Sequence, residues 1–148
     1  MKELWLEKEP SVVYGGKINQ LINLCQLGLS VPKGLILPAD QVMAWLRAAL
    51  PEYSKQGLEE LIKLGKEEIA ERLQQYPLEP AWLQELAAFC QKNQAYIVRS
   101  SAILEDGQAM SFAGQYDSIG NCQSLSEIEQ GIRSCLLSLF NPESLAYW

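Results

Sequence analysis

A chain of 148 residues, 48% hydrophobic and 20% charged, is the size of one ordinary domain, and folding would bury about 70% of the surface its extended form exposes. That density of large apolar residues excludes a disordered chain, no stretch approaches the ~20 apolar residues of a membrane span, and eighteen acidic against twelve basic side chains oppose non-specific nucleic-acid binding. With no histidine at all, a His-based triad, a His-ligated metal and a phosphohistidine are excluded within this chain.

The first ten residues carry charges where a secretory signal would have its apolar run. Glu3-Leu4-Trp5-Leu6 predicts a short strand before a polar turn at Glu9-Pro10. After Gly15-Gly16, the apolar residues Ile18, Leu21, Ile22, Cys25 and Leu29 recur at helical spacing, with Gly28 as the stop. Leu35-Ile36-Leu37 reads as a buried strand. Asp40 is placed to cap a helix that carries Val42, Trp45, Leu46 and Ala49 and ends at Pro51. Residues 57–75 are helical in pattern, with Leu58, Leu61, Ile62, Ile69 and Leu73 inward and Gly65 splitting the run. Pro80 suits the first turn of a helix through Leu83, Leu86, Ala87 and Cys90.

The period then changes. Ala95 to Arg99 is short and rich in β-formers, and Tyr116 to Gly120 predicts a second strand. Between them lies a loop of small and polar residues. Ser126 with Glu129 fits a capping box for a helix bearing Ile128, Ile132, Cys135, Leu136 and Leu139. Asn141-Pro142-Glu143-Ser144 restarts a helix, and the apolar run Leu145 to Trp148 needs something to bury it. The expectation is an α/β (α+β) fold in which one small sheet, holding residues near 35–37, 95–99 and 116–120, is packed by helices. Cys25, Cys90, Cys122 and Cys135 show no C-x-x-C spacing. Cys25, Cys90 and Cys135 each sit in an apolar-periodic stretch, where a free thiol behaves as a small hydrophobe, and the four together read as those of a reduced, cytoplasmic protein, which leaves little room for a disulfide framework or a zinc site.

Two places could carry chemistry. Tyr14-Gly15-Gly16-Lys17 lies at the mouth of a helix. Glycine allows close backbone approach, the helix N-terminus favours an anion, and lysine adds a full charge. The spacing is not that of a Walker A loop, and the plain alternative is a Gly-Gly turn followed by a solvated lysine. The second place is Ile97-Val98-Arg99-Ser100-Ser101 through Ser111-Phe112-Ala113-Gly114-Gln115. A strand-end arginine followed by hydroxyls and small residues can grip phosphate with its guanidinium fork and with loop N–H groups. The plain alternative is a surface hairpin loop whose arginine pairs with Glu105 or Asp106. Those two acids are adjacent, and the usual meaning of such a pair is a solvated loop rather than an acid–base site.

Taken together, the segments resemble a known family. Arg99 to Gln115 is similar to the signature R-S-S-A-x-x-E-D-x-x-x-x-S-F-A-G-Q of the nucleotide-binding domain of the phosphoenolpyruvate synthase and pyruvate phosphate dikinase family. Gly15-Gly16-Lys17, with Leu21 following, resembles that family's G-G-K-G-x-N-L element, and Gly28 to Gly34 resembles its G-x-P-V-P-x-G. The likeness runs from residue 13 to about 147. It departs at Ile18, which replaces the glycine after the lysine and should stiffen that loop.

The resemblance implies the N-terminal lobe of an ATP-grasp nucleotide-binding domain, residues 1–148 forming a single partial domain without the second lobe. It implies that Lys17 and Arg99 hold ATP phosphates and that the loop around Gly114 closes over them. Ser118, the hydroxyl residue four beyond that glycine, would also contact nucleotide. Magnesium would be held by the second lobe, so the chain alone is expected to be inactive, with ATP and a second lobe or partner chain as its partners and neither nucleic acid nor membrane among them. The alternative is a stand-alone, non-catalytic interaction module that kept the fold.

Overall fold

The computed structural model describes residues 1–3, 9, 11, 14–51, 64–101 and 118–140. The chain divides into two compact units, Met1–Val42 with Ser101–Ala113, and Met43–Ser100 with Gly114–Trp148. Helices and short strands mix along it, so the fold is α/β in class.

In the first unit, β1 (Lys2–Glu3) pairs antiparallel with β2 (Leu35–Ile36), Lys2 opposite Ile36 and Glu3 opposite Leu35. Between them runs α1 (Gly15–Gln26). Ile18, Leu21 and Ile22 fall three and four residues apart, so they share one face. Ile22 is fully buried on it and clusters with Tyr14 and Ile36, while Ile18 and Leu21 pack against the group. The helix stops as its sequence demands. Gly28, at φ 75°, donates to the Cys25 carbonyl, and Leu29 donates to that of Leu24, the paired bonds of a Schellman turn. That left-handed turn leads Leu29 off the helix face, and it is 56% exposed rather than inward as its spacing predicts.

The second unit is built around Trp45. The helix that carries it, α2 (Ala39–Ala49), has its first four residues in the first unit; it begins one residue before Asp40, with Val42 donating to the Pro38 carbonyl. Asp40 therefore lies in the first turn instead of capping it, where its charge still suits the helix dipole. Next come α3 (Lys66–Gln75) and α4 (Pro80–Phe89). Gly65 does divide the helical run: it is the N-cap of α3, at φ 78°. The part of that run at 57–63 lies outside the described residues. Pro80 opens α4 where its missing N–H costs nothing, but Trp82 and Leu86 are the residues this helix buries, and Ala87 is exposed.

Trp45 is only 1% exposed, with Tyr76 edge-on at 5.7 Å and Trp82 at 6.3 Å. Its indole Nε1 donates to the Pro77 carbonyl at 2.8 Å. Arg133 completes this corner: its Nη1 donates to the carbonyls of Leu73 and Tyr76, the latter at 2.7 Å, and its guanidinium lies 5.9 Å from the Trp45 ring centre. A helix leaves its last carbonyls without partners. Here the buried Arg133 takes up the carbonyls of Leu73 in the last turn of α3 and of Tyr76 at its C-cap, and the indole takes up that of Pro77 just beyond. Apolar periodicity gives no hint of an inward arginine on the last helix.

The remaining elements are β3 (Tyr96–Arg99), β4 (Ser118–Cys122) and α5 (Leu125–Ser138). β3 and β4 pair antiparallel. The described strands thus form two separate pairs rather than the one sheet expected of residues 35–37, 95–99 and 116–120, because β2 is taken by the chain's own N-terminus. β4 is described from Ser118 and runs to Cys122, two residues beyond the predicted end at Gly120. Tyr116, the loop at 103–114 and the tail from 141 onward lie outside the described residues, as do Leu4 to Leu6. The capping box of α5 is also displaced, by two residues toward the N-terminus: Ser124 is the N-cap, its Oγ accepting from Glu127 N–H, while the Glu127 carboxylate accepts from the N–H groups of Gln123 and Ser124. Both S-x-x-E spacings exist in the sequence, and β4 ends near enough to Ser124 for the earlier one to form.

Candidate functional site

The Gly15-Gly16-Lys17 turn belongs to the first unit, and its shape is set from 83 residues away. Gly15 has φ 65°, and a Cβ there would lie 2.1 Å from the carbonyl oxygen of Ser101. Only glycine fits such an approach. The Ser101 hydroxyl donates to the Tyr14 carbonyl at 2.7 Å and accepts from Ile18 N–H at 3.1 Å. Upstream, Asn19 braces the entering chain, its Oδ1 accepting from Ser11 N–H at 2.9 Å and its Nδ2 donating to the Ser11 carbonyl at 3.0 Å. Lys17 is half-buried in the first turn of α1, which contains no acidic residue to oppose an incoming anion. Ile18, the departure from the family pattern, is a packing residue of the Tyr14–Ile22–Ile36 cluster.

Arg99 and Ser118 belong to the second unit, and the register of β3 with β4 sets them directly opposite each other. Side chains alternate along a strand. Tyr96 and Val98 are half-buried while Ile97 and Arg99 are exposed. Val98 packs on α5, where a Cβ on Gly131 would stand 3.0 Å from its Cγ2. Opposed residues share a face, so exposed Arg99 and exposed Ser118 stand together on the face away from that helix. The ladder takes an irregular step between Tyr96 and Val98, where β4 carries one residue more than β3 and Asn121 takes up φ 58°.

Of the four residues singled out from the sequence, Arg99 and Ser118 are thus brought together, Lys17 stands in the other unit, and Gly114 lies outside the described residues. Sequence reading names Ser101 only as one hydroxyl of the R-S-S run and passes over its contact with the Gly15-Gly16-Lys17 turn. Its partners are local neither in the chain nor in any periodic pattern, so only the shared occurrence of G-G-K and R-S-S could have pointed to it. All four cysteines are free thiols, and burial raises the pKa of Cys90 and of Cys122. Among the described residues no cluster of carboxylates and thiols is placed to hold a metal ion, and no helix is long and apolar enough to cross a membrane.

The family described as pyruvate phosphate dikinase, AMP/ATP-binding domain, matches residues 11–148. A phosphoenolpyruvate synthase of Neisseria meningitidis serogroup B is 29% identical over 90% of this chain and 19% of its own length. A probable phosphoenolpyruvate synthase of Methanothermobacter thermautotrophicus is 29% identical over 96% of the chain and 23% of its own. The rifampicin phosphotransferase of Bacillus subtilis is 30% identical over 96% of the chain and 18% of its own. The chain spans about a fifth of the length of these relatives. No solved structure gives a significant match.

Proposed function

Because the chain belongs to the pyruvate phosphate dikinase AMP/ATP-binding domain family, we propose that it binds ATP by its phosphates, through Lys17 and Arg99, as the phosphate-gripping part of a phosphotransferase. The observation that carries this reading is the pairing of Arg99 with Ser118 on one exposed strand face. A guanidinium fork beside a hydroxyl offers donors matched to two neighbouring phosphate oxygens. The Gly15-Gly16-Lys17 turn supports it with a helix N-terminus, a lysine and no acidic residue in the first turn. Gly114 and the loop around it would cover the phosphates.

The chain is the N-terminal lobe of an ATP-grasp domain in this reading, cytoplasmic and inactive alone. Phosphoryl transfer depends on positioning and on neutralising the charge of the transferred group. Lys17 and Arg99 supply part of that neutralisation. In this reading magnesium is held by residues of the second lobe and supplies the rest of the charge neutralisation; among the described residues no cluster fits it. Nor does the chain contain a histidine to carry phosphate. Rifampicin and phosphoenolpyruvate chemistry belong to the named relatives; the acceptor here lies with domains other than this lobe.

The test is a calorimetric titration of ATP against the chain and its variants. Lys17→Ala and Arg99→Ala should each weaken binding, by at most about 1.5–3 kcal/mol per charged hydrogen bond lost. Unchanged affinity in both variants would refute the assignment.

A further inference from the structure

We propose that Ser101 is a positioning residue: its hydroxyl, bonded to both the Tyr14 carbonyl and the Ile18 N–H at the start of α1, sets the shape of the Gly15-Gly16-Lys17 turn and thereby its affinity for phosphate oxygens. The proposal rests on the ATP reading above for its ligand and on separate geometry for its residue.

In a regular α-helix the N–H of residue 18 would bond the carbonyl of residue 14, four positions back. Here both groups are also bonded to the Ser101 hydroxyl, Ile18 N–H at 3.1 Å and the Tyr14 carbonyl at 2.7 Å. One oxygen atom thus bridges the two ends of the first rung and ties the turn to residue 101. On the adjoining side, the Ser101 carbonyl occupies the space a Cβ of Gly15 would need. The same residue therefore bridges the turn with its hydroxyl and packs it with its backbone.

A serine hydroxyl has one proton to give, and that proton is committed to Tyr14. Ser101 consequently acts on phosphate through the turn that carries Lys17, not as a donor to the nucleotide. Its removal should separate position from stability. In Ser101→Ala the Tyr14 carbonyl and Ile18 N–H can still satisfy each other as an ordinary helical bond. The helix then persists while the turn loses the bridge that fixes its position. Ser101→Thr retains the oxygen and the bridge.

The experiment titrates ATP and, as a phosphate-only probe, inorganic triphosphate against the parent chain, Ser101→Ala, Ser101→Thr and Lys17→Ala, with urea midpoints and the exchange rate of the Ile18 amide measured on each. Ser101→Ala should weaken both ligands about tenfold, the size of one net hydrogen bond. Its urea midpoint should stay near the parent value while Ile18 amide exchange changes, and Ser101→Thr should restore affinity and exchange together. Parental affinity in Ser101→Ala, alongside a loss in Lys17→Ala, would overturn the positioning role and leave the ATP reading standing. Loss of affinity in step with loss of stability, unrescued by threonine, would make Ser101 merely structural and overturn the proposal. A parent chain that binds neither probe would overturn the ATP reading and the affinity claim with it.

Discussion

Arg99, the last residue of β3, stands directly across the ladder from Ser118, the first residue of β4. The seventeen residues of the R-S-S to S-F-A-G-Q segment begin at Arg99 and end three residues before Ser118 in the sequence, so the strand register opposes the segment's first residue to one shortly after its last. Arg99→Lys should recover only part of what Arg99→Ala loses in ATP affinity, because an ammonium cannot reproduce the planar fork. Ser118→Ala should cost less, about 0.5–1.5 kcal/mol, as a neutral hydrogen bond does. Calorimetric titration of the three variants checks the order, and Ser118→Ala outranking Arg99→Ala would contradict it.

Gly15→Ala should be among the most damaging single changes in the first unit. The residue needs a positive φ, and its new methyl group would sit 2.1 Å from a backbone oxygen that cannot rotate away. Strain and overpacking together predict a loss of about 3 kcal/mol or more. By contrast, Gly28→Ala has the same sign of φ with open space around it, so its cost should stay nearer 1 kcal/mol. Urea unfolding of the two variants compares a strained and crowded glycine with one that is only strained.

Much of this fold can be read directly from residue spacing. Ile18, Leu21 and Ile22 mark α1, Gly28 marks its end, Gly65 and Pro80 mark the starts of α3 and α4, and the β-rich run at 96–99 is a strand. Each of these signals is local, carried by the backbone preference or periodicity of a few adjacent residues. What escapes is non-local. Nothing beside Leu35 says that its partner is Glu3, and nothing beside Ser101 says that its hydroxyl bonds a helix 83 residues earlier. The candidate site divides the same way: motif likeness singles out Lys17, Arg99 and Ser118, while the opposition of the last two comes from strand register alone.

Arg133 offers a test of the second unit's core. Truncation to alanine would leave the carbonyls of Leu73 and Tyr76 without their donor and remove the cation beside Trp45. The expected loss is about 2–4 kcal/mol. Arg133→Lys should recover less than half of it, since one ammonium on a flexible stem does not replace a planar guanidinium packed by an indole. Tryptophan fluorescence during urea unfolding reports the transition, and an unshifted midpoint in Arg133→Ala would show that those carbonyls find other partners.

Gly131 sets the spacing between α5 and the strand pair. Alanine is the better helix former by about 1 kcal/mol, yet its Cβ would lie 3.0 Å from Val98 Cγ2 and 3.2 Å from Val98 Cβ, an atom fixed to its strand. Overpacking of that kind costs about 1–3 kcal/mol, so Gly131→Ala should be destabilising on balance. Combined with Val98→Ala, the crowding disappears and the helical preference remains. A double-mutant cycle should therefore show the pair to be less destabilised than the sum of the single changes, and strict additivity would mean that α5 simply moves away.

Glu127 links the start of α5 to pH. Its carboxylate accepts from the N–H of Gln123 at 2.6 Å and from that of Ser124 at 3.0 Å, and these two bonds, with the Ser124 hydroxyl, hold its pKa below the ordinary glutamate value. A carboxyl group whose folded pKa is lowered binds protons more readily in the unfolded chain. The stabilisation it provides is therefore complete above the unfolded glutamate value of about 4.3, and drains away as the pH falls through the lower folded value. Glu127→Gln keeps the shape of the capping box but accepts through a neutral oxygen. At pH 7 the parent should be the more stable of the two. As the pH falls below the unfolded value of about 4.3, the gap should narrow as the parent's carboxylate takes up its proton. Urea midpoints of both proteins at pH 7 and pH 2.5 provide the comparison, and a gap that stays constant across that range would show that the Glu127 charge contributes nothing to the cap.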